Sequence, residues 1–415
     1  MSIRNNQTKN IRATWPLFGA VLALLLLTTV GCSEGPREAS GRLDTPEHHT
    51  LRGNDFLAED EVEKAGREFD LALSLDKKFA PALAGKAVVT AINSAKPGVE
   101  KGKRKDLAGD AEDLVEEAID EAKTEDQERV AYIAGIRVAR LTKHSNNSWL
   151  KDASKAYKKA LKAEGRRDPR PYFYMAQAYR DAFQLREASD LYRKVLDLNR
   201  GLTREADDEL ALLQRVERSQ PGSRHAKAIA FEPSITRADL AALFIAELKL
   251  GALYNRNSEG RVDTSFKKPA SKTFQADSIQ RAAKATDIDD HPMKADIKEV
   301  MALGVLGLEP DPSHKFHPDT VTTRAEFAIM VEDILVRVTG EQKLKTKFIG
   351  GSSPYADVRS DVPYYNAVQT VVTRSLMQPK NKIRGLFGPM DPVNGADALL
   401  VIRQLKTELK SYLRR

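Results

Sequence analysis

Two short segments of the chain place a hydroxyl, a guanidinium and a carboxylate at the same spacing. They are Thr236-Arg237-Ala238-Asp239 and Thr323-Arg324-Ala325-Glu326. Thr323 can accept a hydrogen bond from the free backbone N–H groups of a first helical turn, and Glu326 completes the reciprocal capping box three residues on. The tetrads therefore predict helix starts, and their local chemistry alone requires no other role.

Residues that could support catalysis are sparse elsewhere. The close histidine pairs are His48-His49 and His314-x-x-His317, and neither has an acid at a zinc-enzyme spacing, so we expect surface or turn histidines. The chain has no Gly-x-Ser-x-Gly, Walker or dinucleotide-binding motif. We therefore expect no enzyme activity, catalytic residue, metal or cofactor. A hidden carboxylate pair of the kind that hydrolyses glycans stays open as an alternative.

The single cysteine, Cys32, excludes an internal disulfide. It follows a basic segment and an apolar run over 20–27, the parts of a secretory signal, and the run is shorter than the ~20 residues of a membrane-spanning helix. Val30-Gly31-Cys32 resembles a lipobox, which implies a signal peptide over 1–31 and a lipid on Cys32. Ser33 then implies the periplasmic side of an outer membrane, if the cell has one. A retained anchor, or an ordinary signal with an incidental cysteine, is the alternative.

The charge of the chain argues against nucleic acid as a partner. The formal net charge is +7, and loss of Arg4, Lys9 and Arg12 with the predicted signal peptide lowers it to +4. Nucleic-acid binding requires a concentrated basic face, and the sequence has no basic stripe with interleaved aromatic residues. We therefore expect partners other than nucleic acid.

The pattern of residues divides the 415-residue chain into segments, since this length suits two or three domains. After the signal peptide, residues 32–46 carry Gly, Pro and scattered charges without apolar periodicity, which predicts a flexible tether. Helical patterns occupy 47–219, and the composition changes after Pro221-Gly222 to a second region over 220–415. The predicted fold class is all-α in both regions.

Residues 47–219 contain a recurring pair of helices. The second helices of the pairs carry Ala65, Phe69 and Ala72; Ala111, Val115 and Ala118; Ala153, Tyr157 and Ala160; and Ala188, Tyr192 and Val195. Gly53 and Phe56 precede the first set as Ala176 and Tyr179 precede the last, and the small residues are expected to let paired helices approach closely. The pattern resembles the tetratricopeptide repeat (TPR). A plain helical bundle is the alternative.

The TPR resemblance implies about four hairpins in a solenoid, with a concave face that binds a peptide or a partner protein. Two of the connections are irregular, at Asn93 to Arg104 and at His144 to Ser148. Residues 203–217 are expected to close the stack. Lysines 155, 158 and 159 are expected on a solvated outer face.

The second region contains three copies of a different pattern. The clearest copy spans 287–338, with Asp287-Ile288-Asp289, a helical face, Gly304-Val305-Leu306-Gly307, then Phe316-His317-Pro318 and the Thr323 tetrad. A copy at about 231–250 has only the second half, for which 205–217 is the candidate missing helix. The copy at about 355–410 has Asn394-Gly395-Ala396-Asp397 in place of the tetrad. These motifs, in this order, resemble the S-layer homology (SLH) domain.

The SLH resemblance implies a mostly helical, pseudo-threefold bundle whose grooves bind cell-wall polysaccharide or peptidoglycan. It assigns glycan binding to Arg237 and Arg324, since a guanidinium fork can pair both oxygens of an acidic sugar's carboxylate. Thr236 and Thr323 would support them as helix caps, with Asp239 and Glu326 orienting or capping. Because Gly395 replaces the third arginine, at most two grooves are expected to bind. The alternative is that degenerate copies keep the fold and lose the sugar.

Together these features predict a non-enzymatic cell-envelope lipoprotein. The lipid on Cys32 would hold it to a membrane, the SLH-like region would bind the wall, and the TPR-like region would bind a protein. The alternative is a scaffold or assembly factor for an envelope or polymer-secretion complex, in which the SLH-like region only docks. A wall-active enzyme is a third hypothesis.

Overall fold

The computed structural model describes residues 36–162, 166–259 and 284–413; the predicted signal peptide and Cys32 lie outside these ranges. Within them the fold is all-α, as the sequence predicts, and β-structure is limited to isolated bridges. None of the helices in the described ranges is both long and apolar enough to cross a lipid bilayer. The chain forms two compact units, which divide between Ala160 and Leu161.

The first unit consists of helical hairpins. Its helices are α1 (Pro46–Ala58), α2 (Val62–Leu75), α3 (Ala80–Ala95), α4 (Lys101–Asp120), α5 (Glu125–Leu141) and α6 (Trp149–Ala160). They pack pairwise in chain order, and α3 also packs against α2 and α5, so neighbouring hairpins are joined through it. Thr45 and Thr124 cap α1 and α5 by accepting a backbone N–H of the first turn.

The ring of Phe69 is the packing centre of the first hairpins. The side chain is fully buried, and a Cβ added at Gly53 on α1 would lie 2.7 Å from the ring, while one at Gly85 on α3 would lie 2.2 Å from it. The sequence predicts that Gly53 lets paired helices approach closely. The ring of Phe69 fills the space that the two glycines leave.

Gly85→Ala is expected to lower the free energy of unfolding of the first unit by about 1–2 kcal/mol. Overpacking a dense core costs about 1–3 kcal/mol, which exceeds the ~1 kcal/mol that alanine gains over glycine in a helix. Gly109→Ala on α4 is the control, because nothing lies within 4 Å of its added Cβ and only the gain applies. Urea denaturation followed by circular dichroism measures both. A gain in both variants would contradict tight packing at Phe69.

The segment before α1 is attached to the first unit. The Arg37 backbone N donates to the Ser74 carbonyl (2.7 Å), and its guanidinium donates to both carboxylate oxygens of Asp44 (2.7 and 2.6 Å). The ring nitrogens of buried His49 lie 2.9 Å from the Asp44 carboxylate and 2.7 Å from that of Glu68. The predicted flexible tether therefore does not extend over residues 37–44. The prediction that the first histidine pair is superficial is wrong for His49.

The second unit contains the remaining described helices. They are α7 (Pro169–Asp181), α8 (Leu185–Leu198), α9 (Thr203–Ser219), α10 (Arg224–Ile229), α11 (Arg237–Ala246), α12 (Leu250–Glu259), α13 (Lys294–Leu303), α14 (Arg324–Thr339), α15 (Tyr365–Thr373) and α16 (Gly395–Leu413), with a 3₁₀ helix at Gln342–Thr346. Sequence patterns place α7 to α9 with the preceding repeats. In the structure α9 packs against both α8 and α16, and Val216 of α9 is part of the second unit's core.

The starts of three helices of the second unit are joined by a cyclic set of backbone hydrogen bonds. Just before α11, α14 and α16, a closed ring of backbone hydrogen bonds runs from Ile235 N to Val393 O (2.9 Å), from Val393 N to Thr322 O (3.1 Å) and from Thr322 N to Ile235 O (3.0 Å). Each of the three residues is therefore a donor to one copy and an acceptor from another.

The packing of the other helices follows the same cycle. Helix α13 packs against α11, α15 against α14, and α9 against α16. Helix α9 ends at Ser219 shortly before Phe231, as α13 ends at Leu303 shortly before Phe316. Helix α9 therefore packs against α16 as α13 packs against α11 and α15 against α14. The sequence proposes residues 205–217 of this helix as the first half that the first copy lacks.

Candidate functional site

The three helix caps at the centre of the second unit are built by local side chains. The Thr236 and Asp239 side chains form a capping box on α11, and those of Thr323 and Glu326 form one on α14, as predicted. On α16 the Asn394 side chain accepts a hydrogen bond from the Asp397 backbone N (2.9 Å) and donates to its carboxylate (2.7 Å). The third copy therefore keeps the cap although it lacks threonine.

Arg237 reaches across to the loop of the next copy. Its Nε donates to the Phe316 carbonyl (2.8 Å), Nη1 to that of Gly307 (2.6 Å) and Nη2 to that of Glu309 (3.0 Å). The guanidinium also lies over the Phe316 ring, 4.8 Å from its centroid. These contacts join the first and second copies.

Arg324 repeats this geometry between the second and third copies. Its Nε donates to the Phe387 carbonyl (3.0 Å), Nη2 donates to that of Gln378 (2.6 Å), and the guanidinium lies 4.6 Å from the Phe387 ring centroid. Burial lowers the pKa of both arginines, while nearby carboxylates oppose the shift. The forks thus face backbone carbonyls, an arrangement that the spacing of the tetrads does not reveal.

Acidic side chains hold the carbonyls that the arginines bind. Asp287 accepts hydrogen bonds from the backbone N of Phe316 (2.8 Å) and of His317 (2.7 Å). Asp357 accepts the same pair from Phe387 (2.9 Å) and Gly388 (2.7 Å). The aspartate that opens each complete copy therefore fixes the turn on which the preceding copy's arginine rests.

Gly395 stands where a third arginine is expected, and the backbone leaves no room for a side chain there. A Cβ added at Gly395 would lie 1.7 Å from the carbonyl oxygen of Ile229, the last residue of α10. The Gly395 backbone N donates to the Glu232 carbonyl (2.9 Å). The short helix α10 occupies the space into which an arginine would extend, so the cycle closes by direct backbone contact.

Arg324 lines a groove of about 570 Å³ between the second and third copies. The apolar part of its wall comes from Phe327, Leu376, Met377, Pro379, Pro392, Val393, Leu400 and Val401. The polar part comes from Arg215, Arg324, Gln378, Lys380, Asp391, Asn394, Asp397 and Gln404. Apolar and polar residues contribute equally to the wall, so the groove offers a ligand both apolar contact surface and hydrogen-bonding groups.

Arg215 and Lys380 are cations of this groove that the sequence does not single out. Lys380 is paired with Asp391 at 2.5 Å, whereas the Nε of Arg215 is buried without a hydrogen-bond partner among the described residues. Arg215 projects from α9, between the buried Leu213 and Val216. From sequence, Arg215 could be recognised only as a cation at the edge of an apolar helix face. The packing of α9 on α16 brings it to the groove.

Among the described residues, no three histidine or acidic side chains come together as a metal site. His317 lies 2.9 Å from the Asp311 carboxylate, and both it and His314 have positive φ, as befits residues in a turn. No protein-family model matches this chain, and no curated protein matches it significantly.

Proposed function

We propose that the protein is a non-enzymatic cell-envelope lipoprotein that bridges a membrane and the wall. Its second unit is proposed to bind cell-wall polysaccharide or peptidoglycan through SLH-like repeats. Its TPR-like hairpins are proposed to bind a protein partner, because stacked hairpins of this kind expose an extended surface suited to a peptide. Lipid on Cys32 would supply the membrane attachment.

The observation that carries the wall-binding proposal is the cyclic arrangement around the Ile235, Thr322 and Val393 ring. Chance similarity between sequence motifs would not produce such a ring. Structural repeats of one SLH-like fold would produce it, because each repeat presents the same backbone groups to its neighbours. The groove beside Arg324 lies between two of these copies and combines cations, carboxylates and amides with an apolar wall. This chemistry suits an acidic glycan.

The residues predicted to bind glycan have mainly structural roles in this proposal. Thr236, Thr323, Asp239 and Glu326 act through the helix caps, and the two arginines mainly hold neighbouring copies together. The glycan would be recognised at the groove by the remaining donors of Arg324 and by Arg215.

Arg215→Ala is expected to weaken binding to purified wall sacculi by about tenfold or more, because a charged hydrogen bond contributes about 1.5–3 kcal/mol. The test is co-sedimentation of the chain from residue 33 onward, which keeps α9 with its unit. Arg204→Ala, which removes an exposed arginine from the same helix, is the control and is expected to bind like the wild type.

Equal binding by the Arg215→Ala and wild-type chains would contradict recognition at this groove. No sedimentation of the folded wild type would contradict wall binding altogether and favour the scaffold hypothesis.

A further inference from the structure

The two irregular connections of the first unit meet at one pocket. Val99 lies just before α4, and Lys101, Arg104 and Lys105 lie in its first turns. His144 and Ser145 come from the connection between α5 and α6. Together these six residues line a pocket of about 430 Å³. Neither connection contributes to the lining of the groove beside Arg324.

The pocket is strongly basic. Three of its six lining residues are cationic, and none carries a carboxylate. The Nε of Arg104 is buried without a hydrogen-bond partner among the described residues. A buried donor of this kind is costly to leave unpaired, so an acceptor from a ligand would stabilise it.

The start of α4 adds further donors. Its N-cap residue, Glu100, makes no side-chain cap, and none of the residues of its first turn is acidic. The free N–H groups and the helix dipole favour an anion there, yet the chain places lysine and arginine in the first turns, where they are unfavourable without one. Helix starts with several free N–H groups commonly bind phosphate.

The positive charges at the pocket also affect the pKa of His144. Burial lowers the pKa of its imidazole, and the positive charges of Arg104 and Lys143 lower it further, although a hydrogen bond to the Leu141 backbone opposes the shift. A bound anion would reverse the charge effect and raise the pKa of His144.

We propose that the pocket formed by Lys101, Arg104, Lys105, His144 and Ser145 binds the phosphate group of a phosphorylated ligand. Three cationic side chains at one pocket match an anion with three or more oxygens, whereas one arginine suffices for a carboxylate. The phosphate could belong to a small soluble molecule or to a phospholipid headgroup. This site is independent of the wall-binding proposal.

The first test uses inorganic phosphate and the chain from residue 33 onward, which retains both compact units. Histidine-selective NMR at constant ionic strength is expected to show that phosphate raises the pKa of His144. Lys101→Ala/Arg104→Ala/Lys105→Ala is expected to weaken phosphate binding by at least about tenfold. Lys155→Ala/Lys158→Ala/Lys159→Ala on α6 removes the same charge from the same unit and is expected to bind like the wild type.

The second test separates the two sources of phosphate. Flotation with phosphatidylglycerol vesicles, but not with phosphatidylcholine vesicles, that is lost in the pocket variant would identify a lipid headgroup. Binding of inorganic phosphate without flotation would identify a soluble ligand. The proposal is overturned if neither probe binds, if the pocket variant binds like the wild type, or if the α6 variant loses as much.

Discussion

The Gly395→Ala variant is expected to lose at least about 3 kcal/mol of free energy of unfolding, one of the large effects that overpacking can produce. Its Cβ would lie 1.7 Å from the Ile229 carbonyl oxygen and 2.7 Å from the carbonyl carbon. Both are backbone atoms, so the clash cannot be relieved by a change of rotamer. Either α10 or the start of α16 must shift, and both contribute to the core of the second unit.

Gly222→Ala provides the control within the same unit, because its Cβ would meet only the flexible Glu247 carboxylate, at 3.5 Å. The melting temperature is expected to change little for Gly222→Ala and to fall sharply for Gly395→Ala. Equal melting temperatures would show that the backbone contact at Ile229 is unimportant. Gly395→Arg, which restores the sequence motif, is expected to be worse than alanine, since the larger side chain meets the same obstacle.

The Arg237→Ala variant is expected to lose about 2–4 kcal/mol of free energy of unfolding, because charged hydrogen bonds contribute about 1.5–3 kcal/mol each and water replaces part of the loss. The substitution removes the donors of the carbonyls of Gly307, Glu309 and Phe316, together with the cation–π contact. Arg237→Lys is expected to rescue only part of the loss, because a single ammonium group cannot reproduce the planar fork.

Arg384→Ala is the control, since this arginine is exposed on the same unit. Chemical denaturation is expected to separate the two variants, and similar stabilities would contradict a structural role for Arg237. The outcome also affects binding assays. Loss of wall binding in an Arg237 or Arg324 variant indicates a direct contact only where the variant is still folded, which is why Arg215 on α9 is the sharper probe of the groove.

The helix caps illustrate what local sequence determines. Thr323 and Glu326 are separated by three residues, so their capping box forms within a single turn and depends on no distant partner. The all-α class and the alternation of paired helices have the same origin, because apolar periodicity acts within each helix. Residues 205–217 could also be named from sequence as a candidate helix for the first copy, since that copy shows only its second half, but their packing against α16 is visible only in the structure.

Tertiary structure alone decided the partners of the two tetrad arginines, Arg237 and Arg324. Arg237 binds carbonyls that lie 70 to 79 residues further along the chain, and no pattern near Arg237 specifies them. The clash that makes Gly395 necessary depends on α10, and the phosphate pocket depends on two connections that are distant in sequence. Hydrogen bonds within one turn follow from neighbouring residues, whereas contacts between copies and between loops exist only after the hydrophobic cores bring them together.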